Sequence, residues 1–92
     1  MNTLLVGYDL NRPGQNYEKL FEFLKSAGTW WHHLDSTWLI KTTASAAELR
    51  DSLRTRSLID GNDEVLVINV TGDAAAWYGF SQSGSKWLKD NL

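Results

Sequence analysis

Two stretches constrain this chain more than any other: Leu4-Leu5-Val6-Gly7-Tyr8-Asp9-Leu10 near its start and Val65-Leu66-Val67-Ile68-Asn69-Val70 much later. Both are apolar at successive positions rather than at alternate ones. Neighbouring side chains of an extended strand point to opposite faces, so each run reads as a strand wanting cover on two sides. A chain of 92 residues has room for one domain. The reading is a single unit over 1–92, with a core at about 3–70 and an appendage at 71–92.

The segments between the two runs follow helix and hairpin rules. Residues 3–10 form the first strand, and Pro13-Gly14 within Asn11-Arg12-Pro13-Gly14 breaks it. Tyr17, Leu20, Phe21 and Leu24 fall at i, i+3, i+4 and i+7, which predicts a helix over 17–27. Asn16 is its expected N-cap and Gly28 its stop. Phe23 lies beside the stripe and is read as widening it. Residues 29–33 and 37–42 read as two strands joined by Leu34-Asp35-Ser36. Alternation puts Trp30 and His32 on one face and Trp31 and His33 on the other; likewise Trp38 and Ile40 oppose Leu39 and Lys41.

Ser45-Ala46-Ala47-Glu48 has capping-box spacing and opens a second helix. Ala46, Leu49 and Leu53 form its inner stripe, with Arg50, Asp51, Arg54 and Arg56 outside. Asp60-Gly61-Asn62-Asp63 is a turn before the last strand, 64–70. The tail carries Trp77-Tyr78-Gly79-Phe80 and a short helix expected over Ser85–Asn91.

The order strand, helix, strand, strand, helix, strand predicts an α+β fold of the ferredoxin-like βαββαβ type. That fold is a four-stranded antiparallel sheet with two helices on one face, here followed by a C-terminal appendage. Two helices cover only one face. The other must be covered by the tail, by a second subunit, or by both, and a homodimer is the expectation. The five tryptophans sharpen it, because so many large aromatics exceed what one small core can hold. Trp30, Trp31, Trp38 and Trp77 are the candidate interface residues.

Composition removes several function classes. There is no cysteine, hence no disulfide frame or thiolate metal site. No apolar run approaches the ~20 residues that span a bilayer. No basic region or cleavage site precedes the first strand, so a signal peptide is not expected and the cytoplasm is the default location. A net charge of −2 argues against affinity resting on general phosphate neutralisation.

A strand ending Tyr8-Asp9-Leu10, a helix, Gly28, and a strand pair containing Ser36-Thr37-Trp38 together resemble the small CRISPR-associated Cas-two-like proteins and their SinR-like relatives. The virulence-associated D ribonucleases are a related comparison. The resemblance spans about residues 3–70 through short motifs. It implies a ferredoxin-like protomer, a homodimer built across the sheets, and an acid at the end of the first strand. In some members that acid is credited with metal-dependent cleavage of RNA or DNA; others are scaffolds. Asp9 carries over directly, and Ser36 matches the serine after the second strand. The family's basic, polar segment is replaced by Trp30-Trp31-His32-His33-Leu34-Asp35, and the overall charge is acidic.

Within that frame Asp9 is the candidate catalytic and metal residue. A two-fold axis could pair it with a second Asp9 around Mg²⁺, which takes oxygen ligands and activates water. Its plain structural alternative is to cap amides of the strand-to-helix turn. Ser36 and His33 are secondary catalytic candidates. His32 and His33 point to opposite faces and so cannot readily share one ion, though either could act as a base near neutral pH. Arg12, Lys41, Arg50 and Arg54 are the candidate nucleic-acid contacts, although Glu48 and Asp51 beside the helical arginines fit a solvated ion-paired face. Tryptophans that stack on bases are normally accompanied by interleaved basic residues, which this chain lacks, so packing or dimerisation is the expected role of these side chains.

The expected function is a noncatalytic dimeric module binding protein or nucleic acid, in phage defence or counter-defence. The alternatives are a Mg²⁺-dependent endonuclease of RNA or DNA and a toxin–antitoxin component.

Overall fold

The computed structural model describes residues 1–11 and 17–92. Its elements are β1 (Asn2–Asp9), α1 (Glu18–Ser26), β2 (Thr29–Leu34), β3 (Thr37–Thr42), α2 (Ala46–Thr55), β4 (Glu64–Asn69) and α3 (Gln82–Asn91). The strands form one sheet in the order β2-β3-β1-β4, with every neighbouring pair antiparallel. This is the ferredoxin-like arrangement, with α3 as its C-terminal addition.

Alternation along the two central strands separates two cores. On the first face, Leu4 and Val6 of β1 and Trp38 and Ile40 of β3 meet Leu20 and Leu24 of α1 and Leu49 and Leu53 of α2, all buried. On the second face, Leu39 of β3 and Trp31 of β2 pack against Leu88 of α3, with Leu5, Val70, Trp77, Phe80, Trp87 and Leu92 at the margin. Thus the tail does cover the second face, but only in part. Leu66 is 58% exposed and Ile68 43% exposed. The β4 run reads in sequence as covered on both sides, and in this respect the reading fails. β4 is an outermost strand, and its second-face side chains Leu66 and Ile68 stay in solvent.

Helix ends follow local chemistry with two corrections. At α2 the capping box is complete: Glu48 N–H donates to Ser45 Oγ at 3.1 Å, and Ser45 N–H donates to Glu48 Oε1 at 3.0 Å. α3 begins at Gln82, three residues before the expected Ser85, because Ser81 caps it by accepting from Gly84 N–H at 3.1 Å. α1 ends where Gly28 was expected to stop it, for a different reason. Ala27, not Gly28, occupies the C-cap, with right-handed helical angles. Gly28 is required because a Cβ there would collide with the Lys41 carbonyl where α1 turns into β2. Asn16, the expected cap of α1, lies outside the described residues. Phe23 does widen the α1 stripe, packing at the edge of the first core beneath Arg56.

Candidate functional site

The candidate residues meet where β1 ends beside the β2–β3 turn. Gly7 pairs with Thr37, and Tyr8 N–H donates to the Ser36 carbonyl at 3.1 Å. Asp9 follows at the rim, exposed to solvent. Register therefore brings Asp9 and Ser36 to one corner of the molecule. It does not bring His33. That residue lies on β2, two strand spacings from β1, roughly 10 Å sideways. Its ring sits 5.1 Å from Trp31 and 6.2 Å from Phe80, over Gly84 of α3. His33 packs the tail onto the sheet and is not positioned as a base for Asp9.

The turn is anchored beneath by an aromatic cluster. Trp38 Nε1–H donates to the Tyr8 hydroxyl at 3.0 Å, and that hydroxyl donates to the Asp35 carbonyl at 3.4 Å. The His32 ring stacks on Trp38 with centroids 3.9 Å apart and 14° between planes, while its Nε2 reaches the Asp35 carbonyl at 3.2 Å. Burial pushes the Tyr8 hydroxyl pKa above its usual 10.0; the Trp38 hydrogen bond opposes that shift and the Asp35 charge adds to it. Tyr8 is thus a neutral structural phenol at ordinary pH.

Two acids near Asp9 were read in sequence only as turn and strand-start residues. Glu64 pairs directly across from Asp9, so both carboxylates leave the same face. Two like charges directly opposed across a ladder are unfavourable, and their exposure to water moderates the repulsion. Asp63 is a fastener. Its Oδ1 accepts from Asn11 N–H at 2.9 Å and from the Tyr17 hydroxyl at 2.7 Å, and its Oδ2 accepts from Asp60 N–H at 3.0 Å. It clips both described flanks of the β1–α1 connection to the start of β4. The capping role considered for Asp9 falls, at Asn11, to Asp63 instead. Turn composition marked Asp63 as polar, but no local signal could assign partners at a separation of about fifty residues. Among the described residues, no three acidic or imidazole groups gather in a way that could hold a metal ion.

The proposed nucleic-acid contacts do not form one surface. Lys41 pairs with Thr3 and Thr29 at the opposite end of the sheet from Asp9, and alternation places it on the second face with Leu39. Arg50 and Arg54 are on α2, which covers the first face. Arg50 is occupied by Asp51 at 2.9 Å, and both arginines line a depression that also holds Asp51, Asp60, Asp63 and Glu64. Arg12 lies outside the described residues.

The tryptophans divide in the same way. Trp38 is completely buried in the first core and Trp31 is buried in the second. Trp38 therefore cannot face a partner, which corrects its assignment to an interface, whereas Trp31 contributes to the wall of a groove on the second face. Trp30 is 41% exposed, with Lys25 Nζ 5.2 Å from its ring centroid. Trp77 helps to line an apolar groove of about 510 Å³ between the second face and the tail, whose walls include Leu5, Leu34, Leu39, Tyr78 and Phe80. Two side chains absent from the sequence-based interface, Leu66 and Ile68, are more exposed than either buried tryptophan.

No protein-family model, curated protein or solved structure matches the chain. Among the described residues, no helix is long and apolar enough to cross a membrane.

Proposed function

We propose that this protein is a noncatalytic, self-associating interaction module of the Cas-two-like kind. The observation that carries the reading is the incompletely covered second face. Its own tail buries Trp31, Leu39 and Leu88, yet leaves Leu66 and Ile68 in solvent on a regular strand. Adjacent exposed apolar side chains on an ordered strand favour contact with another macromolecule. The mixed charge around Arg50 and Arg54 supports a protein partner over a nucleic-acid backbone, which would need cations in one patch. Static light scattering tests the premise. The expected species has twice the 10.4 kDa chain mass, and a single-chain mass at all concentrations overturns it.

A second reading, metal-dependent cleavage of RNA or DNA, draws on the register of Glu64 opposite Asp9. The donor set fits Mg²⁺, which retains most of its waters and needs only one or two carboxylates. Asp9 and Glu64 would hold it, and the ion would supply an activated water and offset charge on the phosphate. Incubating labelled RNA and DNA with Mg²⁺ or Mn²⁺ decides between the readings. The noncatalytic module predicts no cleavage that differs between wild type and Asp9→Ala; cleavage lost on substitution establishes the nuclease.

A further inference from the structure

We infer that the self-association surface is the free edge of β4, and that its occupant is β4 of a second copy, paired antiparallel about a two-fold axis. The inference rests on the self-associating reading above and names its geometry.

The two edges of the sheet differ in kind. β2 is irregular: its pairing with β3 shifts between Trp31 and Leu34. A bulge of this sort turns an edge away from further pairing. β4 pairs with β1 without interruption from Asn69 to Glu64. It contains no proline, lysine or bulge and has one charge, at its first residue. Devices that ordinarily protect an edge are therefore present on one side of the sheet and missing on the other. No further strand lies beside β4 among the described residues.

The hydrogen-bond phase specifies the pairing. Val70 N–H donates to the Thr3 carbonyl at 2.9 Å, so Ile68, Leu66 and Glu64 also direct their backbone groups toward β1. By alternation, Val65, Val67 and Asn69 direct theirs outward. A two-fold axis through Val67 places it opposite the partner subunit's Val67, and sets Val65 opposite the partner subunit's Asn69. These are hydrogen-bonded pairs that satisfy every outward group, about six inter-chain bonds in all. Shifting the axis by one residue to either side keeps the phase but loses one of the three pairs.

Side chains agree with the same register. Leu66 falls opposite the partner subunit's Ile68 on the second face, so the two exposed residues of each chain shield those of the other. Glu64 meets the partner subunit's Val70, and no like charges are opposed across the new ladder. An isologous contact of this kind requires a surface complementary to itself, and this strand is one.

The geometry bears on chemistry too. Asp9 lies level with Glu64, while the partner subunit's Asp9 lies level with Val70. Three strand spacings and six residues of rise then hold the two Asp9 positions roughly 25 Å apart. One ion cannot bridge that distance. Edge pairing is incompatible with a paired-Asp9 metal site.

Amide hydrogen exchange on the unmodified chain is the test, run at several protein concentrations beside light scattering. The expected result is that Val65, Val67 and Asn69 amides become protected as concentration rises, while Leu66 and Ile68 amides, bonded to β1, are protected throughout. Val67→Pro removes one outward N–H without touching the β1 ladder, since proline is tolerated on an edge. It should return the scattering mass from the dimeric to the single-chain value at unchanged concentration. A dimer whose three outward amides exchange freely overturns the edge while leaving self-association standing. A chain that is monomeric at every concentration overturns both.

Discussion

The two faces of the sheet bury aromatic and aliphatic residues by different means. On the first face, two helices joined in sequence to the strands they cover bring together Leu4, Val6, Leu20, Leu24, Trp38, Ile40, Leu49 and Leu53, a continuous set of buried side chains. On the second, one helix at the chain terminus is held by Leu88 and a few long-range bonds. Trp31 Nε1–H donates to the Gly84 carbonyl at 3.2 Å, and Thr3 Oγ1–H donates to the Asn91 carbonyl at 2.7 Å. The first core is what makes the fold. The second is a cover fastened to it, and the contrast predicts global unfolding on one side and local opening on the other.

The strongest way to break that contrast is Trp38→Ala. The largest side chain of the first core would leave a cavity under Tyr8 and His32, and the expected loss is about 3–5 kcal/mol, read by urea denaturation. A loss below ~1 kcal/mol would contradict the central place given to Trp38. Leu88→Ala comes next, at about 2–3 kcal/mol for a buried leucine at a partly open site. Its signature should be uneven. Amides of α3 should exchange faster, while those of α1 and α2 change less. Uniform acceleration would show that the two layers unfold as one.

Tyr8→Phe has a smaller effect and a pH signature. It leaves the Trp38 indole N–H without its acceptor, at a cost of about 1–3 kcal/mol at neutral pH. In the wild type, the raised folded-state pKa of Tyr8 means that the unfolded chain loses this proton first as pH rises. The Tyr8 contribution is complete below pH 10.0 and is lost as pH climbs from there through the folded-state pKa. Melting temperature should therefore fall less steeply above pH 10 in Tyr8→Phe than in wild type. Parallel alkaline profiles would refute the assignment. The mildest comparison sets Ser45→Ala against Ser81→Ala, each removing an N-cap worth about 1 kcal/mol. Loss of the Ser45 cap should appear in global stability, whereas loss of the Ser81 cap should appear mainly as fraying at the start of α3.

What could be read from sequence was local. The capping box at Ser45 and Glu48, the α1 stripe through Leu20 and Leu24, and the opposed faces of Trp30 and Trp31 depend on residues a few positions apart, and all three appear as expected. The element order then led to the sheet. What escaped depends on register between distant segments. Nothing near Glu64 announces that it stands across from Asp9, or that Asp63 clips Asn11 and Tyr17. The apolar run in β4 misled for a related reason. A strand covered on both faces and an outermost strand that keeps one apolar face bare have the same pattern, and only its place in the sheet separates them. The surplus of tryptophans was real, but most of it went to filling a second core rather than to a surface.

The bulge in β2 has a consequence for assembly size. A sheet with two regular edges can add copies at both ends and grow without limit. Here the shift between Trp31 and Leu34 leaves one edge fit for pairing. Were two β4 strands to join as proposed, the outer margins of the combined sheet would both be irregular β2 strands, and growth would terminate at two copies rather than continue into a fibre.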